Sequence, residues 1–436
     1  MMKKNRTIYF LLALVCLGLQ SCLFQEEDYF DDSSANRATA DVKRCSELLE
    51  AAPNGWVMEY YVGKDYSLGG ITLLCKFDGQ RATMASQIAG ADETVSSLYS
   101  VKSEQATMLS FDTYNYLVHY FGQPQGSMAD DPNGTLGGDY EFVISDATAD
   151  RIELKGKKYG NRIVMKAFSA DQTWKQYLTR IKKVEDDAFF YEYDLRMDGL
   201  YTGQMLRSNY TFIVTYYDEV GKVHQKTVPF MFTTDGMRFH EPVTIDGQTM
   251  QNFVWKNEEI SFVCTDEGAT EVKLAGVYTA GYQSYDYYPG TYQMDFYRLN
   301  DATNQMEVAS QEIQLVKDED GKSYWLKGLE YDILVTYDKP RGGLSILPQF
   351  LKKVQGGYVY LAMWDLMNDY VLRSSAIGLI SYPTTDGIYL VDNGVWMGEI
   401  SGFIFGVYDS QDEEASFMGY TDAVAAIRLI KKTIEE

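Results

Sequence analysis

The feature that most constrains this chain is a long succession of short segments with alternating apolar residues, separated by turn dipeptides. Asp78-Gly79 stands inside "GGITLLCKFDGQRATMAS" and predicts a β-hairpin, because this dipeptide suits the two-residue turns that join antiparallel strands. Turns at Glu219–Gly221 and at Asp235-Gly236 divide residues 210–245 into three further strands. The pattern predicts a mainly β protein, α+β with few helices. Its antiparallel meanders form two or three β-rich lobes of sandwich or barrel type, joined by a short helix.

Two segments have the end signals of helices. Residues 41–51 start at an acidic residue and stop before Pro53. Residues 112–121 have Asp112 as a candidate N-cap and Gly122 just past their end, which is the asymmetry expected of a helix. We therefore expect helices over both ranges.

A third helix is predicted over residues 170–184. Ser169 and Gln172 have the spacing of a capping box at its start. Its apolar residues recur at helical spacing and form one face that is suited to packing in a core. This helix is expected to join two lobes. The face of the third helix consists of Trp174, Tyr177, Leu178 and Ile181.

For residues 421–432, the periodicity fits a helix and a strand equally well, so both remain open.

The first residues have the organisation of a secretory signal peptide. An apolar run, "IYFLLALVCLGL", follows a basic start and is too short to span a bilayer, which needs about 20 residues. It ends at Leu19-Gln20-Ser21-Cys22, which resembles the lipobox of bacterial lipoproteins. We expect residues 1–21 to be a lipoprotein signal peptide and Cys22 to carry the lipid, palmitate included. The alternative is an ordinary signal peptide followed by a chance cysteine.

An acidic stretch follows Cys22 at once. A run of this kind stays solvated, so residues 22–40 are expected to form a tether. It resembles the acidic signal that sends such lipoproteins to the cell surface, although a plain solvated linker is the alternative. The expected location is the outer membrane, lipid-anchored and facing the cell exterior. The acidic residues are Glu26, Glu27, Asp28, Asp31 and Asp32.

The charge of the chain disfavours nucleic acid as a partner. Residues 1–21 carry three basic residues and no acidic ones, so the remainder has 36 Lys+Arg against 62 Asp+Glu. A protein this acidic repels phosphate backbones and anionic membranes.

Four stretches carry a family resemblance: "APNGWVMEYY", "LSFDTYNYLVHYF", "LGGDYEFVIS" and "IELKGKKYGNRIVMKAF". Over residues 41–168 the chain resembles a family of predicted surface lipoproteins of unknown function in Bacteroidetes-type bacteria. The resemblance implies an accessory of outer-membrane nutrient uptake, whose partners are a TonB-dependent transporter and a lid lipoprotein. The family supplies no catalytic residues.

We expect three units after the tether. Residues 41–168 form an N-terminal β-rich domain that contains helix 112–121. Residues 169–275 hold the linker helix and a middle antiparallel β lobe. Residues 276–436 form a C-terminal β module.

No residue set predicts a catalytic, metal or cofactor site. The chain has three histidines, and a turn at residues 235–236 would pair His240 with Met231, which places His224 roughly 24 Å away along the strand. His119 lies on a helix of another lobe. Carboxylates are too numerous for any pair to be singled out as that of a hydrolase.

The segment "YTAGYQSYDYYPGTYQMDFY" is the strongest candidate for ligand binding. Tyrosine offers a flat apolar face and a polar tip, so exposed tyrosines grip sugars or peptides well. The alternative is structural, because tyrosine is a strand former and "GTYQMDFY" alternates as a half-buried strand does. If the segment binds, we expect its irregular part to do so, through Tyr282, Tyr285, Tyr287 and Tyr288.

These observations predict a non-enzymatic surface lipoprotein that binds a glycan or peptide for an uptake complex. A structural or adhesive envelope protein is the first alternative. A surface hydrolase with paired carboxylates is the second.

Overall fold

The computed structural model describes residues 33–124, 134–218, 220–300, 302–303, 305–412 and 414–432. The predicted signal peptide, the lipid-bearing Cys22 and most of the acidic tether lie outside the described residues.

Three α-helices and one 3-10 turn occur in the described part of the chain. Helix α1 is Ser34–Ala51, so it begins before the predicted 41–51 and takes in the end of the predicted tether. Helix α2 is only Tyr116–His119, shorter than the predicted 112–121, because the Asn115 side chain caps it by accepting from Leu117 N. The 3-10 turn is Lys64–Tyr66.

Helix α3 is Trp174–Asp187, four residues later at its start than predicted. The capping box is formed by Thr173 and Gln176, not by Ser169 and Gln172. The predicted apolar face is present in part, since Leu178 and Ile181 are buried.

Barrel 1 is a closed antiparallel barrel of eight strands in chain order. Strand β1 pairs with both β2 and β8, which closes the ring. Large side chains fill its interior, among them Trp56, Tyr60, Phe111 and Phe142. Its strands are β1 Trp56–Val62, β2 Gly69–Asp78, β3 Arg81–Ser86, β4 Val95–Ser103, β5 Thr107–Phe111, β6 Glu141–Ala147, β7 Arg151–Gly156 and β8 Arg162–Ala167.

Barrel 2 repeats this plan. Strand β9 pairs with both β10 and β16 and closes the ring. Its core includes Tyr193, Phe212, Phe230 and Phe262. Its strands are β9 Glu192–Met197, β10 Leu200–Ser208, β11 Thr211–Tyr217, β12 Val223–Phe232, β13 Gly236–Ile245, β14 Gln248–Lys256, β15 Ser261–Cys264 and β16 Lys273–Val277.

The C-terminal module is one 12-stranded sheet. Eight of its strands close a ring, because β17 pairs with β28. The structure therefore decides between helix and strand for residues 421–432. All but the last of them belong to strand β28, which hydrogen-bonds to β17, β26 and β27. The strands are β17 Gly290–Asn300, β18 Gln305–Lys317, β19 Ser323–Lys327, β20 Ile333–Asp338, β21 Gly343–Ile346, β22 Gln349–Val354, β23 Gly357–Asp365, β24 Tyr370–Leu372, β25 Leu379–Thr384, β26 Gly387–Asp392, β27 Gly402–Tyr408 and β28 Phe417–Lys431.

Helix α3 packs against both barrels. Leu178 belongs to a cluster with Leu74 and Phe168 of the barrel 1 side, and Ile181 and Val184 belong to the core of barrel 2. The predicted fold class, a mainly β protein of lobes with few helices, is confirmed. Among the described residues, no helix is long and apolar enough to span a bilayer.

A direct contact also joins the two barrels. The Arg238 guanidinium of β13 forms an ion pair with Glu59 of β1, and Lys166 lies 2.8 Å from the same carboxylate. Burial alone would raise the pKa of Glu59, but the two cations lower it, so the carboxylate is charged at the junction.

Candidate functional site

The tyrosine-rich segment is largely part of the C-terminal core. Tyr288 is 1% exposed, and its hydroxyl donates to the carbonyl oxygen of Gly342 at 2.8 Å. Tyr285 stacks on Tyr324 at 4.7 Å between ring centroids, and its hydroxyl donates to the carbonyl oxygen of Ser323. Backbone oxygens fix both hydroxyls. Tyr288 is buried and offers no surface to a ligand, and Tyr285 is half-buried and offers only part of its ring.

The other two tyrosines of the segment differ from each other. Tyr282 is half-buried at the junction with barrel 2, where its ring lies 4.4 Å from Tyr278 and 6.0 Å from Phe189. Tyr287 is 39% exposed, with the Lys431 ammonium over its ring. Of the four predicted residues, Tyr287 alone is exposed.

A cleft of about 580 Å³ in barrel 1 brings together exposed rings and polar side chains. It lies beside the β5–β6 pair, where Ser110 is opposite Glu141 in the register. Helix α2 forms one wall, and buried Leu117 and Val118 anchor that helix in the core of barrel 1. The lining includes Lys102, Asp112, Tyr114, His119, Gln123, Tyr140 and Glu141.

Three rings form a row along this cleft. His119 stacks on Tyr140, with 4.6 Å between centroids and 18° between planes. Tyr114 lies on from His119 at 5.5 Å and 45°. Tyr114 is 63% exposed and Tyr140 is 41% exposed. A Cβ on Gly122 would lie 3.3 Å from the Tyr140 ring, so the small residue there leaves room for the ring.

Hydrogen bonds within the protein fix this row but leave polar groups unused. His119 Nδ1 lies 3.1 Å from Asn115 N and 3.0 Å from Asn115 O, whereas its Nε2 has no hydrogen-bond partner among the described residues. Asp112 accepts from Ser110 Oγ with one oxygen, at 2.7 Å. The Tyr114 hydroxyl donates to the side-chain oxygen of Gln123 at 3.3 Å. Donors and acceptors therefore remain for a ligand.

The charges beside the cleft compensate each other. Lys102 lies 2.7 Å from Glu141 and 3.3 Å from Glu104, and Lys157 lies 2.9 Å from both carboxylates. Hydrogen bonds from Lys102 and then Lys157 lower the pKa of Glu141. A general acid of a glycosidase needs the opposite shift. Burial does raise the pKa of Asp139, but its oxygens accept from Lys158 N and Tyr159 N and clamp the β7–β8 turn.

The histidines lie in separate places. His224 Nε2 is 2.9 Å from an Asp218 oxygen, and His240 packs between Tyr61 and Tyr66. The predicted pairing of His240 with Met231 is wrong by two residues, because Phe232 pairs with Met237 across a turn of four residues and Met231 pairs with Arg238. Within the part of the chain that the structure describes, no group of three His, Cys, Asp or Glu is placed to hold a metal.

A second hollow, of about 800 Å³, lies between α3, barrel 2 and the C-terminal module. Three of the cations in its lining are paired within the protein: Lys339 Nζ lies 3.0 Å from the Asp186 carboxylate, Lys183 Nζ lies 2.7 Å from Asp187, and Arg207 lies 3.6 Å from Glu185. The Lys339 ammonium also lies over the Phe189 ring. This hollow is therefore a junction between three units of the fold, and ion pairs form much of its lining.

The sequence pattern did not identify the cleft. Residues 112–121 were expected to form one helix, which would separate Tyr114 from His119 by its own turns. The usable signal was that two of the quoted stretches, around Tyr114 and around Tyr140, flank consecutive strands. Pairing those strands brings their rings together.

Comparisons with known protein families assign two parts of the chain to families of unknown function. The model described as "Domain of unknown function (DUF4302)" matches residues 26–257. The chain belongs to the DUF4302 family. A second model, DUF4987, also a domain of unknown function, matches residues 265–404. The barrel 1 cleft lies wholly within the DUF4302 match. A search of curated proteins finds no match.

Solved structures give only distant likenesses. A protein of unknown function from the DUF3598 family of Nostoc punctiforme is 8% identical, with 56% of this chain and 98% of that chain covered and a TM-score of 0.15. Intact Ap-TbpB, with N and C lobes, is 11% identical, with 84% and 67% covered and a TM-score of 0.14. A mutant of transferrin binding protein B from Haemophilus parasuis is 12% identical, with the same coverage and a TM-score of 0.11. Scores this low carry no weight for function.

Proposed function

We propose that this protein is a lipid-anchored, non-enzymatic surface protein that binds a glycan or peptide ligand for a TonB-dependent uptake complex. The observation that carries the proposal is the barrel 1 cleft, in which exposed rings stand beside unused hydrogen-bonding groups on a rigid floor. Ligand sites typically combine these two elements in a concave surface of about 300–1,000 Å³.

The carboxylates of the cleft support binding without catalysis. Glu141 is held ionised by two lysines, so it does not serve as a proton donor near neutral pH. Asp112 hydrogen-bonds Ser110 and lies beside rings that hold a ligand in place. Neither arrangement supplies a nucleophile with an activating base.

The location in this proposal rests on the sequence. The lipobox-like ending at Cys22 and the acidic residues after it support an anchor in the outer membrane and exposure at the cell surface. Three acyl chains, or two, hold a protein firmly where one holds it weakly. A Cys22→Ala variant is therefore expected to leave the membrane fraction.

The test is a mild-detergent pull-down of the tagged full-length protein from its own outer membrane, with identification of the co-purified proteins. The expected result is a TonB-dependent transporter, with or without a lid lipoprotein. A pull-down of the Cys22→Ala variant from the same cells is the control for proteins that bind after lysis. An eluate from the anchored protein that contains no transporter contradicts the proposal.

A structural or adhesive role is the second candidate, and a strip on barrel 2 favours it. Leu206 and Ile213 face each other across β10 and β11 and are 41% and 37% exposed. Tyr217 and Val223 continue the strip across β11 and β12, at 50% and 55%. This role predicts self-association in analytical ultracentrifugation that Ile213→Lys abolishes. A monomer at all concentrations would exclude self-association through the strip.

A further inference from the structure

We infer that the ligand of the barrel 1 cleft is a neutral saccharide, an inference that rests on the proposed function. The site is the ring row of Tyr114, His119 and Tyr140 together with Asp112 and Gln123. The tyrosine-rich segment of the C-terminal module is less suited to binding, because Tyr287 alone of its four predicted residues is exposed.

The ring row suits a flat ligand with an apolar face. Tyr114 is the most exposed ring of the row, at 63%, and is tilted by 45° to His119, while Tyr140 stacks on His119 and keeps 41% of its surface exposed. The C–H face of a pyranose packs against an exposed ring such as that of Tyr114, whose hydroxyl is held by the Gln123 side chain. The volume of about 580 Å³ accommodates one or two sugar rings.

The same geometry does not form an aromatic cage for a cation. An aromatic cage for an ammonium group needs rings that surround an open space. Here His119 and Tyr140 lie 4.6 Å apart and nearly parallel, in contact with each other, so no cation fits between them.

The charges disfavour an anion. Lys102 and Lys157 are each shared between Glu104 and Glu141, so their charge is already compensated. Asp112 adds a negative charge to the lining. A phosphate, sulfate or uronate would therefore enter a cleft whose local charge repels it.

The backbone disfavours an extended peptide. Peptides commonly bind by adding a strand to a free sheet edge. Barrel 1 is closed, and β5, which borders the cleft, is paired with both β4 and β6. No edge of this sheet is free beside the cleft in the described part of barrel 1.

The polar groups of the cleft match sugar hydroxyls. Each hydroxyl both donates and accepts, so it pairs with an acceptor such as the second oxygen of Asp112 and with a donor such as the Gln123 amide. His119 Nε2 has no partner among the described residues and stands in the ring row itself. A neutral sugar uses all three groups and brings no charge of its own into the cleft.

The test is isothermal titration of the detergent-solubilised full-length protein with neutral mono- and disaccharides: glucose, galactose, mannose, N-acetylglucosamine and their disaccharides. At least one is expected to bind. Tyr114→Ala is expected to weaken it about tenfold, which corresponds to about 1.4 kcal/mol. Tyr120→Ala is the matched control, because Tyr120 is 49% exposed and next to His119 but does not line the cleft. The affinity of the Tyr120→Ala variant for the saccharide is expected to stay within about twofold of that of the unmodified protein.

A second variant keeps the test independent of folding. Asp112→Asn retains the shape of the side chain and its bond to Ser110, and it is expected to weaken the saccharide several-fold. Because the ligand is neutral, the affinity is expected to be unchanged between about 0.05 and 0.5 M salt.

Three results would overturn the inference: no saccharide of the panel binds, Tyr120→Ala costs as much as Tyr114→Ala, or affinity falls steeply with salt. The failure of the proposed function is distinguishable from these. A transporter that co-purifies while no saccharide binds refutes only the ligand class. A missing transporter refutes the uptake role even where a saccharide binds.

Discussion

Replacement of Gly69 by alanine should destabilise the junction of the two N-terminal barrels by more than the cost of an unfavourable backbone conformation at that residue. Gly69 begins β2 with φ +71°, and a Cβ there would overlap the carbonyl oxygen of Tyr210 in barrel 2. Tyr210 packs against the cores of both barrels, and its hydroxyl donates to Glu185 of α3 at 2.8 Å. The added methyl group therefore forces the two backbones apart.

The magnitude follows from a comparison with Gly79→Ala. Gly79 also has a positive φ, +58°, but a Cβ on it would meet no atom within 4 Å. Both alanines carry the cost of a left-handed backbone, about 1–2 kcal/mol. Gly69→Ala adds the cost of overpacking, typically about 1–3 kcal/mol. We expect destabilisation of about 1–2 kcal/mol for Gly79→Ala and about 2–5 kcal/mol for Gly69→Ala.

The assay is equilibrium urea unfolding followed by tryptophan fluorescence and circular dichroism. Gly69→Ala is expected to separate the two signals, because barrels that are uncoupled no longer unfold together. Gly79→Ala is expected to lower the midpoint slightly with the two signals still coincident. Equal costs for the two variants would refute the view that this close approach couples the barrels.

Three further predictions concern single interactions. Thr173→Ala should cost about 1 kcal/mol in urea unfolding, because it removes the capping box with Gln176, whereas Thr173→Asn should retain most of that stability; equal losses would contradict the cap. Burial lowers the pKa of His240, so its contribution to stability is complete above the unfolded value of about 6.5 and is lost as pH falls through the folded pKa. His240→Phe should therefore flatten the decline in stability between about pH 7 and pH 5, and an unchanged slope would count against this. Arg238→Met should lower the free energy of unfolding by about 2–3 kcal/mol, because it leaves the half-buried Glu59 carboxylate with Lys166 as its one ion-pair partner among the described residues. The double variant with Glu59→Gln should recover part of that loss. Strictly additive effects would disprove the coupling.

The fold was accessible from sequence because hairpins are local. Asp78-Gly79 does join β2 to β3, with Asp78 opposite Arg81. Alternation in residues 210–245 does correspond to strands of barrel 2. The closure of each ring is not local, because it depends on the pairing of β1 with β8, more than 100 residues apart in the chain.

The error at helix α3 shows the limit of a local rule. "SADQ" at residues 169–172 and "TWKQ" at residues 173–176 both have the capping-box spacing, and they stand in tandem. Tertiary contacts distinguish them, since the indole nitrogen of Trp174 donates to the carbonyl oxygen of Asn54 at 3.0 Å. That contact places Trp174 in the first turn of the helix.

The predicted binding segment shows the same limit. A cluster of tyrosines in sequence does not reveal whether the rings face a core or solvent. Tyr288 is buried because its hydroxyl reaches Gly342, which is distant in the chain. In contrast, Tyr114 and Tyr140 are separated by 26 residues and contact the same ring, His119, once β5 pairs with β6. Exposure of a ring is decided by tertiary structure, which composition does not record.

The central claim is that the barrel 1 cleft binds the ligand, and the three histidines of the chain allow a direct measurement. With ¹³C-labelled histidine, His119 reports on the cleft, while His224 and His240 lie elsewhere and serve as internal controls. The measurement is a titration of the full-length protein, followed by NMR, with the saccharide that binds most tightly. The account predicts that the His119 signal shifts with saturation while the other two stay in place. A His119 signal that does not move while the saccharide binds would contradict it.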